Sequence, residues 1–221
     1  AAAVERAFAE LAAQGVSLIV GPAIGDNALI ATPLAEAQRI PTINWAGAER
    51  ARGEHMFHHQ VGSHEDESLV MARHMHSLGA RRLGVVFDLS PIGERHLHYL
   101  EDEARILGLE IAARESIDPL AQDAQGEVST VLEQRPDGFI YLGLGLSAPP
   151  TATALVSAGW TGPRIMNTAG LRGYHGDFAR ICDGWFYIDM HSGGNRPLSA
   201  LPAGLGWPPQ RALEAAKGHD I

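Results

Sequence analysis

Short runs of β-branched and aromatic residues recur along this chain, each followed by a longer amphipathic stretch, and that alternation restricts the fold more than any other feature. Seven runs stand out: residues 16–20 (VSLIV), 40–46 (IPTINWA), 82–88 (RLGVVFD), 111–117, 138–143 (GFIYLG), 163–168 and 184–190 (GWFYIDM). Most lack polar alternation, as strands do when helices cover both faces of a parallel sheet. Helical windows are predicted between them, over 27–38, 65–78, 93–107, 125–134 and 151–158. Two more lie at the ends, over 1–13, with Val4, Ala7, Phe8 and Leu11 on one stripe, and over 210–221. Gly79, Gly108 and Gly159 close three windows, where a missing Cβ permits the left-handed backbone that ends many helices. The fold class is therefore α/β, with parallel sheets wound by helices on both sides.

The length of 221 residues accommodates one large domain or two smaller lobes. With 45% apolar and 19% charged residues, general disorder is excluded. The net charge of −9 is spread without a basic block, so neither nucleic acid nor an anionic membrane surface is an expected partner. No apolar run approaches the ~20 residues of a membrane span, and direct membrane insertion is not expected. Cys182 is the single cysteine, which removes any internal disulfide. Because helix-like sequence stands at both ends, the chain is expected to be an excerpt lacking N-terminal and C-terminal elements, with any secretion signal upstream. Two polar, glycine-containing stretches, 47–67 and 191–209, interrupt the rhythm and suggest crossings between lobes. The division expected is 1–61 for part of one lobe, 62–189 for the second, and 190–221 for a return segment toward the first.

In open α/β sheets ligands collect beyond the carboxyl ends of the strands. The five loops expected there read GPAIGDN (21–27), WAGAE (45–49), LSPIGE (89–94), GLGLSA (143–148) and NTAG (167–170). Their Gly, Ala and Ser content suits close approach of a bound molecule, and it also suits an ordinary strand-to-helix turn. Phosphate-binding, nucleophile-elbow, zinc-protease and EF-hand motifs are absent, and Lys217 is the single lysine. Neither a catalytic residue nor a cofactor is therefore assigned. The eleven histidines lack metal-ligand spacing: His74 with His76, and His96 with His98, point to different helix faces, and solvated or capping roles are expected. A surface metal near His58, His59 and His64 is the weaker reading. Cys182 is read as a small buried hydrophobe. Trp185 is expected in a core, whereas Trp45 has two readings, stacking on a planar or apolar solute and filling a core. Asp88 and Glu49 lie at strand ends, but no partner at a defined distance gives them acid/base work.

Taken in order, LIVGPAIGDNALIATPLAEAQRIPTINWAGAE, MFHHQVGSHEDE, RRLGVVFDLSPIGE, PDGFIYLGLG and AGWTGPRIMNT resemble the branched-chain amino acid and amide class of ABC-importer solute-binding proteins, of periplasmic binding fold type I. The likeness runs from Leu11 to about Met190. It implies two doubly wound lobes joined by crossing strands that close on a small solute like a hinge. It also implies that the loop after the first strand, at Ile24, Gly25 and Asp26, holds a solute carboxylate, with Gly25 where amino-acid binders carry serine. The next loop, at Trp45, Ala46, Gly47 and Ala48, lacks the usual hydroxyl, because Ala46 and Ala48 occupy those positions. In the second lobe the contacts implied are Ser90, Ile92 in place of a tyrosine, Gly145 near another tyrosine position, Asn167, Thr168, and Ala169 where an acid normally meets the ammonium group.

A buried ammonium or carboxylate without a partner is costly, so these departures disfavour an ordinary α-amino acid. The expected solute is an amide or a small aromatic or aliphatic acid resting on Trp45 and Ile92, oriented by Asn167, Thr168 and loop amides. The function implied is a non-enzymatic, periplasmic or extracellular solute-binding protein delivering its ligand to a membrane-embedded ABC permease. Two alternatives stand beside it: a ligand-sensing regulator or receptor domain of the same fold, and an enzyme on a doubly wound scaffold.

Overall fold

The computed structural model describes residues 1–48, 50–59, 63–168 and 177–188. The chain divides into two compact units, one containing residues 1–61 and the other 62–188.

The first unit contains α1 (Ala2–Ala13), β1 (Ile19–Val20), α2 (Gly25–Gln38), β2 (Thr42–Asn44) and β3 (Met56–His58). The strands form a parallel sheet in the order β1-β2-β3. Strand side chains alternate between faces, so the register sorts them into two rows. Ile19, Thr42 and Met56 are paired neighbours, and the apolar members pack with Phe8, Ala31 and Ala35 of the helices. Val20, Ile43 and Phe57 form the other row, in which Val20 and Phe57 stand exposed. Strand β3 was not expected. It lies inside the polar stretch after Trp45 and buries one large side chain, Met56, so its sequence carries almost no strand signal. Glu36 at the end of α2 holds it in place, its carboxylate accepting from the backbone N–H groups of His55 (2.8 Å) and Met56 (3.2 Å). Those bonds, the His55 amide first, keep the Glu36 carboxyl below its ordinary pKa.

The second unit contains α3 (His64–Ser77), β4 (Arg82–Asp88), α4 (Pro91–Leu107), β5 (Glu110–Ile117), α5 (Gln125–Glu133), β6 (Gly138–Leu142), α6 (Ala148–Ser157), β7 (Arg164–Met166), α7 (Phe178–Ile181) and β8 (Phe186–Tyr187). Its sheet is parallel throughout, in the order β5-β4-β6-β7-β8. Leu83, Val85, Ile140, Leu142 and Ile165 point toward α3 and α4, meeting Met71, Met75, Leu97 and Leu100. Val86, Phe139, Tyr141 and Met166 point the other way, toward Val128 and Val131 of α5 and Ala152 and Leu155 of α6. This double burial accounts for the unbroken apolar runs of β4 and β6. Trp185 closes the second layer edge-on against Phe139 at 5.9 Å, in the core role expected for it. Helix starts follow their capping residues: Ser63 and Asp66 form a reciprocal capping box on α3, and Ser90 caps α4 ahead of Pro91. Among the described residues, no helix is long and apolar enough to cross a membrane. The expected helix over 210–221 lies outside the described residues.

Candidate functional site

Each unit gathers its glycine- and alanine-rich loops at the carboxyl ends of its strands. In the first unit these are the turn from β1 into α2 and the loop after β2. Ile24 is exposed at the start of α2, with Gly25 buried and Asp26 half-buried behind it. Trp45 is 45% exposed, which removes the core-filling reading. Next to it Ala46 and Ala48 are buried, packing their methyl groups with Ala28 and Ala51, while Gly47 is half-buried. The loop owes its shape to Asn44, a residue sequence reasoning passed over. Its side-chain amide donates to the Ala51 carbonyl (2.7 Å) and its oxygen accepts from the Ala46 amide (3.1 Å). The His58 ring meets the Ala46 carbonyl at 2.7 Å.

In the second unit β4 has β5 on one side and β6 on the other, so the loops leaving β4 and β6 run apart and open a switch point between them. Asp88 closes its floor. This fully buried carboxylate accepts from the Leu144 amide (2.7 Å), the Ser90 amide (3.2 Å) and the Ser90 hydroxyl. The Ser90 oxygen in turn accepts from the Gly93 amide (3.1 Å). Tyr141 and Ser147 share a hydroxyl bond of 2.8 Å beside it, and burial, followed by the Asp88 charge, pushes the Tyr141 phenol up. Gly143 is required where it stands, because a Cβ there would collide with the Asp88 carboxylate. Gly145, with φ of 97°, takes a backbone conformation few other residues adopt.

Asn167, just past β7, repeats the device seen at Asn44. It accepts from the Gly143 amide (3.0 Å), donates to the Gly143 carbonyl (3.1 Å) and has no exposed surface. Thr168 is half-buried, its amide donating to Glu67 (3.1 Å) and its hydroxyl to the Ile188 carbonyl (2.8 Å). Ile92 is half-buried in the first turn of α4. Ala169 lies outside the described residues. Within each unit, then, the described residues of the expected set lie on strand-end loops, and the hydroxyl and amide side chains of Ser90, Asn167 and Thr168 bond to groups of the same unit.

A profile of the family described as periplasmic binding protein matches residues 1–181. The chain belongs to that family. No curated protein matches it in sequence. Among solved structures, this periplasmic binding protein is similar to the leucine binding protein LivK of Thermotoga maritima, with TM-score 0.78 and 16% identity over 93% of this chain and 62% of that one. An ABC transporter substrate-binding protein from Desulfitobacterium hafniense gives TM-score 0.75 and 16% identity, over 99% of this chain and 65% of that one. A solute binding protein of an ABC transporter from R. palustris, in complex with 4-hydroxybenzoate, gives TM-score 0.67 and 13% identity, over 81% of this chain and 50% of that one. The chain thus spans half to two thirds of these structures, and the likeness establishes the type I periplasmic binding fold.

One expectation about the histidines is corrected. His96 is not solvated: it is 1% exposed, with Nδ1 2.9 Å from the Ile92 carbonyl and Nε2 3.0 Å from Glu67. His64, also buried, stacks on it at 4.5 Å between ring centroids. A signal was present, because His96 falls on the same helical stripe as Gly93, Leu97, Leu100 and Ala104, the buried face of α4. Burial alone would raise the Glu67 carboxyl; the His96 bond and charge, the Thr168 amide and the His64 charge outweigh it and hold the carboxyl below its ordinary range. Cys182 is buried as expected, and burial pushes its thiol up to about 11.

Proposed function

We propose that this periplasmic binding protein captures a small, weakly zwitterionic solute, an amide or a small aromatic or aliphatic acid, outside the cytoplasm and presents it to an ABC permease without altering it. One observation carries the choice of solute. The polar side chains at the expected contact positions of the second unit are bonded internally, and the exposed large side chains at those of the first, Ile24 and Trp45, are apolar. An α-amino acid entering such surroundings loses water from two full charges and gains few charged or hydroxyl partners, which disfavours it. A planar acid or amide buries its ring or chain on Trp45 and Ile92 and needs a few backbone donors for its polar end. The R. palustris protein in complex with 4-hydroxybenzoate, of the same fold, supports this reading. Capture by hinge closure belongs to the same proposal: the solute favours a closed arrangement in proportion to the contacts it makes with both units at once.

The test is titration calorimetry of the chain against 4-hydroxybenzoate, benzamide, short aliphatic amides, leucine and valine, with chromatography of the recovered solute. Saturable binding of an acid or amide, recovered unchanged, supports the reading. Tight binding of leucine or valine alone defeats the solute class, and appearance of a product defeats the non-enzymatic role.

A further inference from the structure

His96 stands at the junction of three segments. Its ring nitrogens meet two acceptors, the Ile92 carbonyl in the first turn of α4 and Glu67 Oε2 on α3. A carbonyl oxygen only accepts, so Nδ1 must donate. Glu67 Oε2, 3.0 Å from Nε2, also accepts from the Thr168 amide just past β7. The groups facing the ring are Glu67 and His64 from α3, with Arg95 of α4 behind His64 at 3.5 Å and the Thr168 amide from the strand end. Ser68 ties the backbones together, its hydroxyl donating to the His96 carbonyl (3.1 Å). One carboxylate oxygen therefore fixes both the ring that holds Ile92 and the amide of Thr168.

We propose that Glu67 and His96 are a positioning pair that fixes Ile92 and Thr168, the two half-buried solute-facing positions of the second unit, and thereby sets solute affinity. The affinity part rests on the function proposed above, whereas the positioning part does not. Removing one partner strands the other in a buried setting, but replacing both by apolar groups of similar shape is often nearly neutral for stability. The double variant Glu67→Leu/His96→Leu therefore separates positioning from folding.

Three measurements on the full chain decide it: urea unfolding, hydrogen exchange of the Thr168 amide, and calorimetry with 4-hydroxybenzoate. The single variant His96→Leu is expected to lose stability and the double variant to recover part of it, because the half-buried Thr168 amide then lacks its Glu67 acceptor. In that recovered protein the Thr168 amide is expected to exchange about tenfold faster than in the wild type or more, and 4-hydroxybenzoate to bind about tenfold more weakly. Wild-type exchange at Thr168 in the double variant overturns the pair as a positioning device. Affinity that returns together with stability overturns its control of binding. If 4-hydroxybenzoate does not bind the wild type, the solute proposal fails on that compound while the exchange rate still judges the pair.

Discussion

Replacing Asp88 tests how the second unit holds its switch point. Four donors converge on this carboxylate, the amides of Leu144 at 2.7 Å and Ser90 at 3.2 Å, the Ser90 hydroxyl and, at 3.5 Å, the Tyr141 hydroxyl, and the side chain has no exposed surface. In Asp88→Ala the Ser90 and Tyr141 hydroxyls can turn elsewhere, the latter to Ser147, but both amides lose their acceptor. A stranded buried donor costs about 1–3 kcal/mol, and Leu144 is partly reached by water, so the sum is about 2–4 kcal/mol. Asp88→Asn keeps one acceptor oxygen. It can serve Leu144 while its amide group turns to the Ser90 oxygen, leaving the Ser90 amide stranded and a loss of about half that size. Asp118, which caps the exposed Leu120 amide at 2.7 Å, is the control; Asp118→Ala should cost no more than about 1 kcal/mol. Equilibrium urea unfolding, followed by tryptophan fluorescence and far-ultraviolet circular dichroism together, reads all three. An Asp88→Ala protein within about 0.5 kcal/mol of wild type would refute the reasoning.

Gly143→Ala forces a methyl group into the Asp88 carboxylate and to 2.7 Å from the Tyr141 hydroxyl, so a loss of about 1–3 kcal/mol is expected in the same unfolding assay. Trp45→Ala should leave stability within about 0.5 kcal/mol while weakening any bound aromatic acid about tenfold by calorimetry, since nearly half of the side chain is exposed. Glu67 has a lowered folded pKa, so its contribution to stability is complete above about 4.5 and disappears as the pH falls through the folded value. Unfolding free energies measured at falling pH should therefore decline more steeply in wild type than in Glu67→Gln, and parallel slopes would contradict the assignment. Cys182, buried with its thiol near 11, should resist a disulfide-exchange reagent at pH 8 until the chain is unfolded in urea.

The central strands were legible in the sequence because a strand buried on both faces is apolar along its middle, as β4 is from Leu83 to Phe87 and β6 is from Gly138 to Leu142. Strand β3 was not legible, because its place depends on backbone bonds to β2 and on the distant Glu36 carboxylate rather than on its own side chains. The loops expected to carry the site are where the strand order puts them, but what shapes them was hidden. Asn44, Asp88 and Asn167 work by reaching backbone groups of neighbouring loops, and Leu144 becomes a neighbour of Asp88 only once β6 lies beside β4. His96 is the intermediate case. Its helical stripe carried a signal of burial that the expectation of a solvated role overlooked, while its partners Glu67 and Thr168 are supplied by elements far away in sequence.

The strand order of the second unit also dictates a timetable for a ribosome-bound chain. Strand β4 gains β5 almost at once, because α4 alone separates them, whereas the edge facing β6 stays open until Leu142 has been made. During that interval this central strand offers a row of unmatched amides and carbonyls to any passing polypeptide. Nascent chains halted near Arg135 are then the species most in need of a chaperone, and the later arrival of Gly138–Leu142 is the event that ends the exposure.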